Sequence, residues 1–280
     1  MSKLYKNKEW LEKAIKENDN NKQIGEQIGV SGDTISYWRK KFGLPKSQAE
    51  SNVNRTYSIN KEYFDVIDTE HKAYWLGFIM ADGCICKTES KGKYNRLWFT
   101  IKDTDINLLE LFQSDLESNY PIKIKININK KLDFETTICE LRISSAYLVN
   151  SLMKHGLSPN KTGKENIPNS VPKELIRHFI RGFFDGDGCI ASTKKLSIGC
   201  SSKLIIKQIN QHINSELNIN FSIHERTEYS VPFFLIDSNH YKNNKIFLDY
   251  IYNNASVYLD RKYKIYLNMY CQSAPLYSDV

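Results

Sequence analysis

Two stretches of sequence, 105 residues apart, decide the fold: Trp75-Leu-Gly-Phe-Ile-Met-Ala-Asp-Gly83 and Ile180-Arg-Gly-Phe-Phe-Asp-Gly-Asp-Gly188. Each is largely apolar, carries a glycine at its third position and ends in Asp-Gly, a pattern that predicts a helix closed by a C-terminal glycine. The C-terminus of a helix carries partial negative charge, so an acidic residue there is electrostatically unfavourable. Because the chain places both Asp82 and Asp187 there, the sequence indicates that a cation compensates the two carboxylates.

The segments that follow the two motifs also correspond, which indicates a structural repeat. In each half two strands follow the Asp-Gly pair, then a helix, two more strands and a further helix, so each half has the order αββαββα. In the first half, the strict alternation of residues 122–129 predicts a strand with isoleucine on one face and lysine and asparagine on the other. We therefore predict an α+β fold built from two pseudo-symmetric repeats.

The element boundaries follow from capping residues and from changes of hydrophobic period. The first motif helix is expected to begin at Asp68–Glu70, and the second near Pro172, a favourable first-turn residue. The predicted strands are Cys84–Thr88, Arg96–Ile101, Ile122–Asn129 and Thr136–Ser144, then Cys189–Lys194, Leu196–Cys200, Phe221–Glu228 and Val231–Asp237. The other predicted helices are Ile106–Leu116, Ala146–His155, Lys203–Leu217, Asn239–Tyr252 and Arg261–Tyr270.

Composition limits the class of protein. The chain has 280 residues, 41% of them hydrophobic and 12% aromatic, which is typical of a globular protein, and its formal net charge of +7 favours a polyanionic partner. It has neither a membrane-length apolar run nor the apolar core of a signal peptide, so we expect an intracellular, cytoplasmic protein of a phage or bacterium, or of an organelle. The six cysteines lack zinc-ligand spacing. Cys84 and Cys189 stand at equivalent places and are expected to be small buried packing residues.

The two motifs, their spacing and the matching segments after them resemble the LAGLIDADG homing endonucleases over residues 60–270. The resemblance implies a single-chain, two-motif enzyme whose repeats form a saddle over double-stranded DNA. It implies site-specific cleavage of both strands across the minor groove, with short 3′ overhangs. One chain supplies both acids, so the protein is expected to act as a monomer with internal pseudo-twofold symmetry.

The residues of the motifs suggest how the acids meet. Gly77 and Gly182 thin one face of each helix, so the two helices can pack backbone to backbone and bring Asp82 and Asp187 together. Close carboxylates raise each other's pKa unless a divalent cation neutralises them, and oxygen ligands with room for phosphate suit Mg²⁺. We therefore expect two or more Mg²⁺ ions and metal-assisted phosphodiester hydrolysis.

The resemblance assigns Asp82 and Asp187 as catalytic metal ligands and the carbonyl groups of Ala81 and Gly186 as further ligands. Met80 replaces an acid that Asp185 retains, at a position that is not a metal ligand in the family. The family also has a basic residue near the active site, and in the first repeat the residue that falls there is Arg142, expected to be catalytic or else a solvated strand residue. Leu235 is taken as its counterpart, which cannot serve.

Other residues are candidates to contact DNA, most of them at phosphates. In the repeats they are Lys87, Lys91, Lys93, Arg96, Lys123, Lys125, Lys130, Lys194, Lys195, Glu225 and Arg226. The cluster Arg261–Lys264 is either a phosphate clamp or a polar helix face.

The N-terminal residues predict a separate, all-helical unit. Three amphipathic helices are expected within residues 8–44, the second closed by Gly29 and the third capped by Ser31, which resembles a helix-turn-helix. Its third helix would present to DNA Ser31, Thr34, Ser36, Tyr37 and Lys40. The expected domains are residues 1–50 for this unit, 51–65 for a polar linker, 66–165 for the first repeat and 166–275 for the second.

The sequence thus predicts a homing endonuclease with an N-terminal helix-turn-helix. Two alternatives stay open. One is a DNA-binding regulator on the same fold that has lost cleavage, against which the retention of both acids argues. The other is an intron maturase that binds structured RNA on the same surface.

Overall fold

The computed structural model describes residues 3–18, 20–47, 57–87, 94–129, 134–228 and 230–271. The candidate DNA contacts Lys91, Lys93 and Lys130 lie outside these residues. The chain divides into two compact units, Met1–Ser58 and Ile59–Val280. Among the described helices, none is both long enough and apolar enough to cross a membrane.

The described part of the first unit contains three α-helices, α1 (Lys8–Glu17), α2 (Asn21–Ile28) and α3 (Gly32–Lys41), and a short 3₁₀ helix before them, Leu4–Lys6. Each α-helix begins at a polar cap whose side chain accepts a hydrogen bond from a backbone N–H of the first turn: Asn7, Asn20 and Ser31. Gly29 ends α2 in the left-handed conformation, with φ of 71°, which only glycine adopts without strain. The core of the unit consists of Leu11, Ala14, Ile24 and Ile35.

The second unit holds the two repeats, each led by its motif helix. The first repeat contains α4 (Glu70–Asp82), β1 (Cys84–Lys87), β2 (Tyr94–Lys102), α5 (Ile106–Asp115), β3 (Ile122–Asn129), β4 (Phe134–Ser144) and α6 (Ala146–Lys154). The second contains α7 (Ile176–Asp187), β5 (Gly188–Ile190), β6 (Leu196–Cys200), α8 (Lys203–Leu217), β7 (Ile223–Arg226), β8 (Phe233–Ser238), α9 (Tyr241–Tyr252) and α10 (Asp260–Tyr266). The α+β class and the repeated order αββαββα are confirmed.

Each repeat forms one four-stranded antiparallel sheet. The strand orders, β1-β2-β4-β3 and β5-β6-β8-β7, are the same. In the first sheet Leu97, Phe99 and Leu141 point into the core, and the residues between them lie on the opposite face, here called the open face. The two sheets are therefore equivalent, position by position.

The structure moves the start of the second motif helix, and it confirms the two faces of β3. A 3₁₀ turn, Lys173–Leu175, precedes α7, so the second motif helix begins four residues after Pro172 rather than beside it. In β3, isoleucine and lysine do lie on opposite faces, but Ile124 and Ile126 are 63% and 67% exposed. No described segment covers these two residues, so the apolar face of the strand extends beyond the core.

The motif helices α4 and α7 pack backbone against backbone, as the sequence predicts. A Cβ atom added to Gly77 would lie 2.9 Å from the carbonyl carbon of Phe179, and closer still to its oxygen. A Cβ added to Gly182 would lie 2.8 Å from the backbone nitrogen of Phe78, and closer still to the oxygen of Tyr74. No other residue fits at either position without separating the helices.

A buried ion pair ties the two repeats together at the start of this contact. Arg181 is fully buried, and its Nη2 donates to Oε1 of Glu70 over 2.6 Å. Its Nε and Nη1 donate to the backbone oxygens of Val257 and Ile251. A buried guanidinium is tolerated only when its donors are satisfied in this way, which explains an arginine in the buried part of the second motif helix.

Candidate active site at the junction of the motif helices

The two acids lie side by side at the C-terminal ends of α4 and α7. A Cβ atom added to Gly186, the residue before Asp187, would lie 3.3 Å from Oδ2 of Asp82 and even closer to Cβ of Ala81. Glycine at position 186 therefore makes room for the Asp82 carboxylate. Both acidic residues are exposed to solvent, so the pair forms an accessible site rather than a structural core contact.

Two lysines from distant segments meet the ends of the motif helices. Nζ of Lys161, in the loop after α6, donates to the backbone oxygens of Ile79 and Met80 over 3.2 and 2.5 Å, and also to Ala81. Nζ of Lys262, in α10, donates to the equivalent oxygens of the other helix: Phe184, Asp185 and Gly186 over 2.6, 2.7 and 3.4 Å. Each helix thus ends at an ammonium group that neutralises its partial negative charge.

The electrostatics show that the lysines do not fully compensate the acids. Although both side chains reach solvent, the protein atoms around them displace much of their hydration. This desolvation and the charge of Asp82 raise the pKa of Asp187 to about 7. Desolvation also raises the pKa of Asp82, although Lys161, Lys262 and Arg261 act in the opposite direction. Burial lowers the pKa of Lys262 to about 8, against the attraction of the acids. The pair therefore favours a further cation.

The chemistry of the donors fits a hard divalent metal. Two carboxylates and the carbonyl oxygens of Ala81 and Gly186 are oxygen ligands of the kind that Mg²⁺ prefers, and so few protein ligands leave positions for phosphate and water. Among the described residues, no group of three or more His, Cys, Asp or Glu could bind a metal, so substrate or solvent would have to complete the coordination.

The acid that distinguishes the two motifs is structural. Asp185 is 1% exposed and accepts hydrogen bonds from the hydroxyls of Tyr74 and Tyr252 and from the backbone N–H of Leu259. Met80 fills the equivalent position in α4 and is also buried. This placement agrees with the expectation that neither residue binds metal.

Arg142 lies on the open face of the first sheet. Its Nη2 donates to Oε2 of Glu140 over 2.6 Å, and its guanidinium lies 4.2 Å from the ring centroid of Trp98. The cations whose charges act on Asp82 are instead Lys161, Lys262 and Arg261. The catalytic role of Arg142 stays a prediction.

The counterpart of Arg142 was misassigned. Arg142 pairs with Trp98, which pairs with Cys84. In the second sheet, Cys189 pairs with Ser197, which pairs with Asp237. The position of Arg142 is thus taken by Asp237, and Leu235 takes that of Glu140. The expected counterpart, Leu235, is therefore wrong by two residues.

Those remaining candidates of the first repeat that the structure describes lie along the open face or at its edge. Lys123 and Lys125 are exposed on that face, and Lys125 donates to Oε1 of Glu140 over 2.8 Å. Nε of Arg96 is 3.4 Å from Oγ of Ser144. Lys87 is exposed at the end of β1.

In the second repeat the candidates are more dispersed. Lys195 pairs with Asp237 over 2.7 Å. Lys194, in the turn before β6, lies over the ring of Tyr241. Arg226 is exposed at the end of β7. Glu225 is on the helix-packed side and pairs with Lys203 of α8 over 3.3 Å, so its expected place on the DNA-facing side is wrong.

Cys84 and Cys189 were also misjudged. Both are exposed rather than buried, because the residue after each Asp-Gly pair points to the open face. Each stands two residues after the acid of its motif and so borders the candidate site.

The candidates of the N-terminal unit lie along α3. Oγ of Ser31 caps the helix by accepting from the backbone N–H of Thr34 over 3.3 Å. Ser36 is half-buried, while Tyr37 and Lys40 are exposed. Arg39, by contrast, is buried and donates to Asn21 and to the backbone oxygen of Pro45, so part of the basic end of the helix is structural.

Sequence reasoning missed Lys161 and Lys262. Lys262 is 3% exposed, so a polar helix face is wrong for this member of the Arg261–Lys264 cluster. Arg261 pairs with Asp105 over 2.9 Å. A signal was present: Asn160-Lys161 follows α6, and Arg261-Lys262 follows the equivalent helix α9, at similar distances from the acid of each motif.

Comparisons with known proteins agree with this geometry. Residues 174–252 match the family model of a LAGLIDADG-like domain. Among solved structures, the chain is similar to the homing endonuclease I-WcaI bound to its DNA recognition sequence, with 17% identity, a TM-score of 0.50, and coverage of 73% of this chain and 91% of that one. This similarity concerns the fold.

Two curated proteins of Methanocaldococcus jannaschii are also similar. An uncharacterized protein is 25% identical over 199 residues, or 68% of this chain and 63% of that protein. A glutamine–fructose-6-phosphate aminotransferase is 31% identical over 139 residues, which cover 48% of this chain but 12% of the aminotransferase. The chain therefore spans less than two thirds of either relative.

Proposed function

Since the chain contains a LAGLIDADG-like domain and has the fold of the LAGLIDADG homing endonucleases, we propose that it is a site-specific endonuclease that hydrolyses phosphodiester bonds in double-stranded DNA. The observation that carries the proposal is the meeting of Asp82 and Asp187 in a solvent-open site between two glycine-thinned helices. The two acids are exposed, whereas the other acid of the second motif, Asp185, is buried and accepts three hydrogen bonds.

The residues of the site divide the work. Asp82 and Asp187, with the carbonyl oxygens of Ala81 and Gly186, would hold Mg²⁺, which when bound supplies positive charge to activate water and to stabilise the leaving oxygen. Lys161 and Lys262 hold the ends of the two helices and bring positive charge to the place where a phosphate must sit. The proposed roles of the chain's own groups are thus to bind the metal, to orient the phosphate and to neutralise its charge.

Double-stranded DNA is the proposed partner, and a single chain would serve as the active species inside the cell. The open face of the first sheet supports this. Its described strand positions carry one acid, Glu140, and five basic residues: Arg96, Lys102, Lys123, Lys125 and Arg142. Such a face suits a phosphate backbone. The exposed Tyr37 and Lys40 of α3 support a second contact, in which the N-terminal unit would act as a helix-turn-helix.

The test is the replacement of each acid by its uncharged isostere. Asp82→Asn and Asp187→Asn are each expected to abolish double-strand cleavage in Mg²⁺ while largely retaining DNA binding, because the amide keeps the shape and loses the charge. Asp103→Asn, an exposed acid outside the site, is the matched control. The substrate is the DNA that flanks the reading frame, where a homing enzyme would find its target.

Three outcomes would contradict the proposal. Cleavage at the wild-type rate by either variant would remove the mechanism. Specific DNA binding by the wild-type protein without cleavage would point to the regulator. Preferential binding of structured intron RNA over duplex DNA would point to the maturase.

A further inference from the structure

The guanidinium of Arg142 is held in a fixed orientation on the open face of the first sheet. Trp98 lies directly opposite it in the neighbouring strand, and the guanidinium carbon is 4.2 Å from the centre of the indole ring. Glu140, two residues earlier on the same face, accepts from Nη2 over 2.6 Å. An aromatic surface and a carboxylate therefore restrict both the tilt and the rotation of the group.

Glu140 is itself held in place. It is 4% exposed, and its second oxygen accepts from Nζ of Lys125 over 2.8 Å. Burial raises its pKa, but the hydrogen bonds and charges of Lys125 and Arg142 outweigh burial and lower the pKa overall. Glu140 therefore stays a carboxylate, and Arg142 has a constant partner.

This arrangement leaves donors free for a ligand. A guanidinium has five N–H donors in a planar fork, and the bond to Glu140 uses one of them. The side chain of Arg142 is 40% exposed. A planar, pre-oriented fork with open donors can bind two acceptors at once, for which a flexible lysine is poorly suited.

The described residues of the second repeat have no equivalent of the Trp98–Arg142–Glu140 arrangement. By register, Trp98 corresponds to Ser197, Arg142 to Asp237 and Glu140 to Leu235. Asp237 is occupied by Lys195 over 2.7 Å. The two halves of the protein therefore present opposite charges at the same position, and their ligands must differ there.

We infer that Arg142 is a specificity-determining residue that reads a guanine, through O6 and N7, in the half of the DNA site that lies under the first repeat. The inference rests on the proposed binding of duplex DNA by the open faces. Bidentate contact by arginine is the commonest specific contact to guanine in the major groove. A phosphate contact would not need a stacked and oriented fork, since the phosphate backbone carries no sequence information.

The test uses the full chain and a pool of random-sequence DNA duplexes, with binding measured in EDTA so that cleavage plays no part. The wild-type protein selects a consensus, and binding is then measured for every single base-pair change in it. We expect one position of the first repeat's half-site to prefer G·C by roughly 10- to 100-fold. In Arg142→Met this preference should fall to about twofold, with other positions unchanged.

Two further variants sharpen the result. Arg142→Lys keeps the charge and loses the fork, so it should fail to restore the preference for guanine. Arg96→Met removes a half-buried arginine of the same face whose guanidinium is bonded to Ser144, and it should leave the preference at this position intact. Arg142→Met leaves the buried carboxylate of Glu140 with Lys125 as its charged partner, so a modest fall in Tm is expected. Melting curves of all variants show that each is folded at the temperature of the binding assay.

Several outcomes would overturn the inference. Equal weakening of all sequences in Arg142→Met would make Arg142 a phosphate contact. Intact base preference with lost cleavage would make it a catalytic group, as the family resemblance implies. Selection of no duplex consensus by the wild-type protein would remove the inference together with DNA binding. A wild-type protein that selects DNA but does not cut it would remove the proposed cleavage and leave the reading of guanine standing.

Discussion

Replacing Gly182 by alanine should destabilise the protein, although alanine normally stabilises a helix by about 1 kcal/mol relative to glycine. The added Cβ would fall 2.8 Å from the backbone nitrogen of Phe78 and closer still to the oxygen of Tyr74. These are backbone atoms of the neighbouring helix, which cannot rotate away as a side chain can. Helices α4 and α7 must therefore separate by about 1.5 Å to restore ordinary contact.

The size of the effect follows from that separation. A gap of 0.5–1 Å already forfeits about a quarter to a half of the dispersion energy across a contact, and overpacking a buried site typically costs about 1–3 kcal/mol. Because the obstacle is backbone, we expect the upper end, about 3 kcal/mol net. For a unit of this size that corresponds to a fall in Tm of about 6–12 °C.

The assay is thermal and denaturant unfolding of three variants beside the wild type. Gly77→Ala should behave like Gly182→Ala, since pseudo-symmetry gives it the same neighbours, and the double variant should cost less than the sum because one separation relieves both clashes. Asn150→Ala, on the exposed side of α6, is the control and should change stability by less than about 0.5 kcal/mol. If both glycine variants melt at or above the wild-type temperature, the two helices do not pack as described.

Three other predictions concern the site and the N-terminal unit. Lys161→Met and Lys262→Met should each lower the rate of single-turnover cleavage by at least tenfold while the DNA consensus stays unchanged. An unaltered rate would mean that the two lysines only cap the helices. Because the pKa of Asp187 is raised to about 7 in the metal-free protein, Mg²⁺ binding should release protons, and the affinity for Mg²⁺ should rise as pH rises from 6 to 8. Calorimetry in buffers of different ionisation enthalpy measures the number of protons released. By the same linkage, Asp187 keeps its proton in the folded metal-free protein at pH values where the unfolded chain has lost it, so the contribution of Asp187 to stability should fall as pH rises from 4 to 7. The difference in stability between the wild type and Asp187→Asn should therefore change with pH in that range. Removal of residues 1–50 should weaken DNA binding and shorten the footprint on one side, while cleavage stays at the same phosphates. The slope of log binding constant against log salt concentration should fall by about 0.9 for each lost phosphate contact. An unchanged footprint and slope would show that the three helices do not bind DNA.

The local features of the chain were readable from the sequence because they depend on neighbouring residues. The helix ends at Thr69 and at Ser31, the left-handed Gly29 and the alternation in β3 are set by capping, backbone freedom and side-chain period. The repeated order of elements was predictable because the same sequence pattern occurs twice along the chain. Even the close contact of the motif helices was predictable, since a glycine at the centre of each apolar helix leaves backbone as the contact surface.

Tertiary structure alone decided which distant groups meet at the site. Lys161 and Lys262 reach the helix ends from loops and helices far along the chain, because an unsatisfied carbonyl end attracts any cation that the fold brings near, and periodicity does not encode that. Strand register decided that Asp237, not Leu235, is the counterpart of Arg142 in the second repeat. The sequence does not show a shift of one or two residues in register, yet such a shift changes which side chains are neighbours. The exposure of Cys84, Cys189, Ile124 and Ile126 was likewise decided by which face each element leaves uncovered, because burial depends on the packing of whole layers rather than on the residue itself.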